Sequence, residues 1–151
     1  MFDNILVVCV GNICRSPTAE FLFKQQLPNK RIASAGLQAC LNADGSGWDM
    51  DDTARKIAQA NGLDCPRHEA QKLNQALVSE YDLILVMEAK HRNQIAERYP
   101  EALAKTMLLG HWIENTNNKD IPDPYKKSED VFQHVYQLIE AATAAWCAKL
   151  K

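Results

Sequence analysis

The chain has 151 residues, of which 46% are hydrophobic and 24% charged, and we expect residues 1–151 to form a single domain. The formal net charge is -2, so no broad basic field is present and nucleic acid is not expected as a partner. The longest apolar runs are too short to cross a bilayer, and residues 1–4 lack the cationic start of a signal peptide. We therefore expect a cytoplasmic protein without membrane insertion.

Predicted strands and helices alternate along the chain, which favours an α/β fold with a mostly parallel sheet. Residues 4–9 form a continuous apolar run of the kind found in strands buried on both faces. A helix is expected to open at Ser16-Pro17, with Ser16 in the N-cap position. Further strands are predicted at residues 31–35, 81–87 and 105–109, and further helices at 51–60, at 89–98 and from Ser128 onwards. The buried stripe of the last helix is assigned to Val131, Val135, Leu138, Ala142 and Trp146. Residues 110–125 are predicted to form a long surface loop.

The turn after the first strand has the composition of an anion-binding site. Cys9 ends the strand, Arg15 follows six residues later, and a helix begins at once. Backbone N–H groups in such a turn surround an oxyanion, the helix dipole adds positive charge, and an arginine binds two oxygens. The same environment favours an ionised sulfur at Cys9. Ser16 is expected to donate its hydroxyl to this sulfur, to cap the helix, or to do both.

A simpler interpretation is a buried cysteine that closes a strand, with Arg15 as a solvated charge. The position of the motif between a buried strand and a helix start favours the phosphate-binding interpretation. Neither a G-x-x-x-x-G-K-[ST] loop nor a G-x-G-x-x-G loop is present. The odd number of cysteines without a C-x-x-C pair predicts free thiols, and no metal or other cofactor is expected.

Two residues between residues 110 and 125 are candidates for the leaving-group side of such a site. Asp123 lies between two prolines and has the chemistry of a general acid, although an aspartate there is also ordinary turn chemistry. Tyr125 fits equally the wall of a slot for an aromatic substrate and a half-exposed loop tyrosine. Cys14 fits a packing residue or a partner that forms a reversible disulfide with Cys9. The four histidines show no ligand spacing and are expected at the surface or the edge of the core.

These motifs together resemble the low-molecular-weight protein tyrosine phosphatases, and the similarity extends over nearly the whole chain. The strongest matches are residues 9–20 (CVGNICRSPTAE) and the Asp-Pro-Tyr of residues 123–125. Ser34-Ala35-Gly36, the strand at residues 81–87 with Glu88, and Leu108-Leu109-Gly110 also agree.

The resemblance implies a three-layer α/β sandwich, in which a four-stranded parallel twisted sheet is flanked by helices and the phosphate loop follows the first strand. It implies Cys9 as the nucleophile that forms a phosphocysteine, Arg15 as the ligand of the phosphoryl oxygens, and Asp123 as acid and then base. Asn12 would hold the loop in its strained shape, Ser16 would bond to the sulfur, and Tyr125 would flank the phenyl ring. Val10, Gly11, Ile13 and Cys14 complete the set of loop residues expected to bind phosphate.

Residues 37–52 depart from the common pattern of this family, so the pocket wall that they form is less well defined. Leu41 is our candidate for the apolar side chain of that wall, with Trp48 as an alternative. Lys126 follows Tyr125 where many eukaryotic members have a second tyrosine, which favours a bacterial type. Bacterial members act on autophosphorylating tyrosine kinases that control capsule or exopolysaccharide export, which are therefore the expected partners, together with inorganic phosphate or other oxyanions in the loop.

Two other functions are compatible with the same motif. An arsenate reductase of the same fold would use Cys9 and Arg15 with a relay of further cysteines. A non-catalytic module would bind phosphotyrosine without hydrolysing it. The presence of Asp123 beside the other two residues argues for the phosphatase.

Overall fold

A computed structural model describes residues 2–114 and 116–151, and in this part of the chain strands and helices alternate as predicted. The four strands are β1 (Asn4–Cys9), β2 (Arg31–Gly36), β3 (Leu83–Val86) and β4 (Thr106–Leu108). The α-helices are α1 (Arg15–Gln26), α2 (Asp52–Ala60), α3 (Gln75–Glu80), α4 (Ala89–Arg98) and α5 (Glu129–Leu150), and two 3₁₀ helices cover Pro100–Lys105 and Leu109–Trp112. None of the helices described here is long and apolar enough to span a bilayer.

The strands form one parallel sheet in the order β2-β1-β3-β4, which confirms the predicted four-stranded α/β fold. β1 is central, and its side chains alternate between two apolar clusters. Ile5, Val7 and Cys9 face the cluster that contains residues of α1, α2 and α5, whereas Leu6 and Val8 face the cluster that contains residues of α3 and α4. The sheet is therefore the middle of three layers, and β1 is hydrophobic throughout because both of its faces are covered.

Several predicted boundaries are wrong. α1 begins at Arg15 with Cys14 in the N-cap position, so Ser16 lies inside the helix and does not cap it. The third strand is shorter than residues 81–87. The helix α3 was not predicted; Asn74 caps it by accepting a hydrogen bond from the backbone N–H of Leu77. The predicted loop at 110–125 contains part of the second 3₁₀ helix, and Asn115 lies outside the described residues.

The buried stripe of α5 is wider than predicted. Val135, Ala142 and Trp146 are buried as expected, but Val131 and Leu138 are only half-buried. Phe132, Tyr136, Ile139, Thr143 and Cys147 complete the buried face. Because α5 packs against both α1 and α2, these two helices together bury a wider face of α5 than either would bury alone.

Candidate active site

The phosphate loop, defined here as residues 9–15, connects the end of β1 to the start of α1. It therefore lies at the carboxyl edge of the parallel sheet, where α/β proteins bind their ligands. Six successive carbonyl groups, those of residues 9–14, accept hydrogen bonds from groups outside the loop. The donors are the backbone N–H groups of Leu37, Gln38, Cys40 and Asp51, the His68 ring and the Thr18 hydroxyl.

Because these carbonyl oxygens bond to groups outside the loop, they point outward, and this fixes the direction of the backbone N–H groups. In a trans peptide the C=O and N–H groups point in opposite directions, and the described chain contains no cis peptide bond. The N–H groups that follow these carbonyls are therefore directed to the concave side of the loop. Together with the N-terminus of α1 they form a positively polarised surface for an anion.

Asn12 holds the sharpest bend of the loop. Its φ of 59° lies in the left-handed region, which asparagine tolerates better than most residues. The side chain is buried, and its Oδ1 accepts a hydrogen bond from the backbone N–H of Gln71 at 2.9 Å. That contact fixes the amide orientation, so Nδ2 must be the donor to Ser16 Oγ at 2.8 Å and to Ser34 Oγ at 2.9 Å.

The direction of this network identifies the donor at the Cys9 sulfur. Ser16 Oγ accepts a hydrogen bond from Asn12, so its own proton is free for Cys9 Sγ, which lies 2.9 Å away. Ser34, the other acceptor of Asn12, donates in turn to the Glu20 carboxylate. The network therefore presents a hydroxyl donor to Cys9, which stabilises a negative charge on sulfur.

His68 supports the loop from the side opposite the cavity. Its ring is buried, and Nε2 lies 2.7 Å from the carbonyl oxygen of Asn12. Since a carbonyl oxygen only accepts, Nε2 carries the proton. Asp49 accepts a hydrogen bond from the backbone N–H of His68 and forms a two-pronged ion pair with Arg55. The hydrogen bonds from Arg55, followed by that from His68, hold the pKa of Asp49 well below its usual range even though partial burial opposes this shift.

Arg15 is anchored in a fixed orientation. Its side chain is 2% exposed, and Nη1 donates to Glu88 Oε2 and to the carbonyl oxygen of Ile121, both at 2.7 Å. Burial alone would raise the pKa of Glu88, but the hydrogen bond and charge of Arg15 outweigh it and lower that pKa. Nη2 lies 3.9 Å from Asp123 Oδ2. One nitrogen thus anchors the guanidinium while the other lies on the side of the candidate acid.

Asp123 lies in the acid loop, defined here as residues 121–127. Its side chain is 51% exposed. Oδ1 accepts a hydrogen bond from the backbone N–H of Tyr125 at 3.0 Å, which leaves Oδ2 toward Arg15. The Lys126 ammonium lies 5.5 Å from the centre of the Tyr125 ring. The acid is oriented by its own loop, with few contacts to the rest of the protein.

One cavity of about 180 Å³ brings most of the predicted site residues together. Cys9, Arg15, Asp123 and Tyr125 line it, as do the predicted loop residues Val10, Gly11, Ile13 and Cys14. Asn12 and Ser16 are buried and do not line the cavity. Leu41 is not among the lining residues: it is 39% exposed and pairs with Gly47 in an isolated bridge. From residues 37–52, Gln38 and Cys40 line the cavity instead.

The site has the elements needed to transfer a phosphoryl group to sulfur, and comparison with known proteins agrees. The family model for "Low molecular weight phosphotyrosine protein phosphatase" matches residues 4–151. The chain belongs to this family.

Relatives of this phosphatase are similar over nearly their entire lengths. A putative low molecular weight protein-tyrosine-phosphatase of Klebsiella pneumoniae is 47% identical over 151 residues, which cover 100% of this chain and 99% of the relative. The crystal structure of the tyrosine phosphatase Wzb from Escherichia coli K30 with sulphate has a TM-score of 0.92 and 47% identity, with 100% of both chains covered. Vibrio vulnificus Wzb in complex with benzylphosphonate has a TM-score of 0.89 and 48% identity, with 99% of both chains covered.

The supporting residues of this phosphatase were harder to predict than those that face the cavity. His68 was expected at the surface or the edge of the core, because no spacing relates it to the phosphate loop. Glu88 and Ser34 agree with the family pattern, but the sequence assigns neither of them a role. Cys40 lines the cavity beside Gly11, where a Cβ atom would lie 3.1 Å from the Cys40 sulfur.

The surroundings of Cys14 disfavour the ionised form of its thiol. Burial, followed by the nearby charges of Asp51 and Cys9, raises the pKa of the Cys14 thiol well above its usual range. Cys14 is a free cysteine here, as are all five. A disulfide between Cys9 and Cys14 stays an open prediction.

Proposed function

We propose that this chain hydrolyses phosphotyrosine through a phosphocysteine on Cys9. The observation that carries the proposal is the convergence of three groups on one cavity: the Cys9 sulfur, the Arg15 guanidinium and the Asp123 carboxyl. The hydroxyl of Ser16, 2.9 Å from the Cys9 sulfur, is placed to donate a hydrogen bond to the sulfur as it attacks and as it leaves.

In the first step, the Cys9 sulfur attacks phosphorus in line with the phenolic oxygen. A sulfur–phosphorus bond forms while the phosphorus–oxygen bond breaks. The leaving phenolate, whose conjugate acid has a pKa near ~10, takes a proton from Asp123 in its acid form. Arg15 and the amides of the phosphate loop bind the phosphoryl oxygens and stabilise the charge on them in the transition state.

In the second step, Asp123 accepts a proton from a water molecule that attacks phosphorus from the side vacated by the phenol. The sulfur–phosphorus bond breaks, Cys9 leaves as a thiolate, and inorganic phosphate is released. Asp123 is thereby returned to its acid form. Because Arg15 and the loop amides already match the charge of the phosphate, we expect full activity in excess EDTA.

We further propose that the substrate is a tyrosine-phosphorylated protein, of the kind represented by autophosphorylating bacterial kinases that control exopolysaccharide production. The names of the relatives and the benzylphosphonate complex of the Vibrio phosphatase support an aromatic phosphate ester as ligand. We place this reaction in the cytoplasm, consistent with five free thiols, and assign it to residues 1–151 as one domain. Tyr125 is proposed to flank the phenyl ring; Leu41 stays a candidate wall residue.

The test is an assay of the wild type and Cys9→Ser with p-nitrophenyl phosphate and a phosphotyrosine peptide. We expect turnover by the wild type, and none by Cys9→Ser, which still binds oxyanions. Thiol-dependent reduction of arsenate without phosphatase turnover would support the reductase instead. Binding of the phosphopeptide without hydrolysis by the wild type would support a binding module.

A further inference from the structure

A second, larger cavity lies next to the catalytic one. This cleft has a volume of about 690 Å³, against about 180 Å³ for the catalytic cavity. Val10 and Gln38 line both. The cleft therefore adjoins the cavity that would hold the phosphotyrosine, and the proposed mechanism makes no use of it.

One face of α4 forms a wall of the cleft. Lys90, Gln94 and Arg98 follow each other at intervals of four residues, so they share a face of the helix, and all three line the cleft. Val10 and Leu37, both half-buried, add apolar surface. An apolar surface edged by long polar side chains is the composition of a peptide-binding groove.

The charge of this wall is opposite in sign to that of the whole protein. Lys90 and Arg98 are exposed cations, and Glu97 is the only carboxylate among the residues that line the cleft. Glu88, which does not line the cleft, lies 3.7 Å from the Lys90 ammonium and offsets part of its charge. The chain as a whole has a net charge of -2. The local excess of positive charge therefore favours an anionic occupant at this position.

A buried polar group points to the same cleft. His91 is one of its lining residues, it is 0% exposed, and neither ring nitrogen has a hydrogen-bond partner among the described residues. Nε2 lies 3.5 Å from Glu88 Oε2, which is outside hydrogen-bonding geometry. A buried polar group without a partner costs free energy, so the His91 ring marks an unsatisfied polar position beneath the wall of the cleft.

We propose that this cleft binds an acidic segment next to the phosphotyrosine of the protein substrate, with Lys90 and Arg98 as the residues that recognise its charge. The proposal rests on the proposed phosphatase function. An extended peptide advances about 3.3 Å per residue, so residues close to the phosphotyrosine in sequence reach a cleft that begins at Val10 and Gln38.

The experiment compares phosphotyrosine peptides that differ only in the residues flanking the phosphotyrosine on either side: glutamates, glutamines or lysines. We expect the wild type to have the highest kcat/KM with glutamates on at least one side. The Lys90→Glu/Arg98→Glu variant is expected to lose about fivefold or more on that peptide and to gain on the lysine peptide. Its kcat/KM for p-nitrophenyl phosphate, which has no flanking residues, is expected to fall clearly less than that for the glutamate peptide; Lys90 lies 3.7 Å from Glu88, the anchor of Arg15, so a small loss is expected there too.

Two further variants control for net charge and for the sign of the effect. Lys56→Glu/Lys151→Glu changes the net charge by the same amount at exposed positions that do not line the cleft, and we expect it to keep the wild-type preference. Glu97→Gln removes the opposing charge, and we expect it to strengthen the preference for glutamates.

The proposal is overturned if the wild type hydrolyses the three peptides equally, or if both double variants change the preference to the same extent. It is also overturned if Lys90→Glu/Arg98→Glu reduces turnover of p-nitrophenyl phosphate as much as that of the peptides. If the wild type has no activity on p-nitrophenyl phosphate, the proposed function itself has failed, which is a separate outcome.

Discussion

The phosphate loop and the acid loop line the same cavity, yet the protein holds them in different ways. In the phosphate loop, Cys9, Asn12 and Arg15 are buried, and the six carbonyls of residues 9–14 all have partners. In the acid loop, Asp123 and Tyr125 are partly exposed, and the acid is oriented mainly by a bond within its own loop.

This difference separates two tasks. Binding of the phosphoryl group depends on atoms fixed during folding, which lowers the cost of organising the transition state. The proposed protonation of the leaving group depends on Asp123, which is half-exposed and is oriented mainly by a hydrogen bond within its own loop. Changes in the phosphate loop are therefore expected to alter both stability and activity, whereas changes in the acid loop alter activity alone.

The largest effect is expected for Arg15→Ala. It removes the proposed ligand of the phosphoryl oxygens and the nearer of the two cations that pair with Glu88, which leaves only Lys90 at 3.7 Å. We expect a loss of about 10³- to 10⁵-fold in kcat/KM for a phosphotyrosine peptide together with a lower melting temperature. Activity within tenfold of the wild type would show that this guanidinium does not bind the phosphoryl group.

Asp123→Asn tests the other loop. We expect kcat for phosphotyrosine to fall about 10²- to 10⁴-fold and the melting temperature to stay unchanged, because the side chain is half-exposed. The loss in the first step should be smaller for p-nitrophenyl phosphate, whose leaving group needs less help from an acid; rapid-mixing measurement of the phenol burst isolates that step. An equal loss of burst rate with both substrates would argue against a role as proton donor.

His68 allows a smaller and more selective test of the phosphate loop. His68→Leu removes the donor to the Asn12 carbonyl, and we expect kcat/KM to fall about tenfold to a hundredfold because the loop loses its shape. His68→Gln retains an N–H donor and serves as the matched control, with an expected loss several-fold smaller. If the two variants behave alike, the hydrogen bond does not support the loop.

The smallest effect is expected for Asp49→Asn, measured as the pH dependence of the free energy of unfolding. The folded-state pKa of Asp49 lies below its ordinary value of 3.8, so its ionised form stabilises the folded protein above that pH, and this contribution is lost as the pH falls through the folded-state pKa. The wild type should therefore be more stable than the variant near neutral pH, with a difference that decreases below pH 3.8. A difference independent of pH would contradict the ion pair as its cause.

The elements around the sheet were predictable because their signals are local. The apolar run of β1 and the predicted end of α2 at residue 60 correspond to the observed strand and helix end, and Gly62, just past that end, has a positive φ of 86°. α3 was missed because it has only six residues and is held by one asparagine cap. The N-cap at Ser16 was wrong because its hydroxyl bonds to Cys9, seven residues earlier in the chain.

The side chains proposed to be catalytic were named from their motifs and from the family resemblance, but the residues that hold them were not predicted. His68 lies 56 residues from Asn12 and Glu88 lies 73 residues from Arg15. Such contacts arise only when the sheet brings the ends of its strands together, so no periodicity or short motif encodes them. The cleft beside α4 was missed for the same reason, since its lining comes from three separate segments.

The central claim is that the phosphate loop presents the Cys9 sulfur as the nucleophile. The most direct test uses the Asp123→Ala variant: its reaction with p-nitrophenyl phosphate is quenched in acid, and the phosphoryl group is located by mass spectrometry. This substrate needs little acid catalysis in the first step, while the second step lacks its base, so the intermediate accumulates. We predict a phosphoryl group on Cys9 in the tryptic peptide of residues 1–15. A phosphoryl group on Cys14 or Cys40, or no covalent intermediate while turnover continues, would contradict the account.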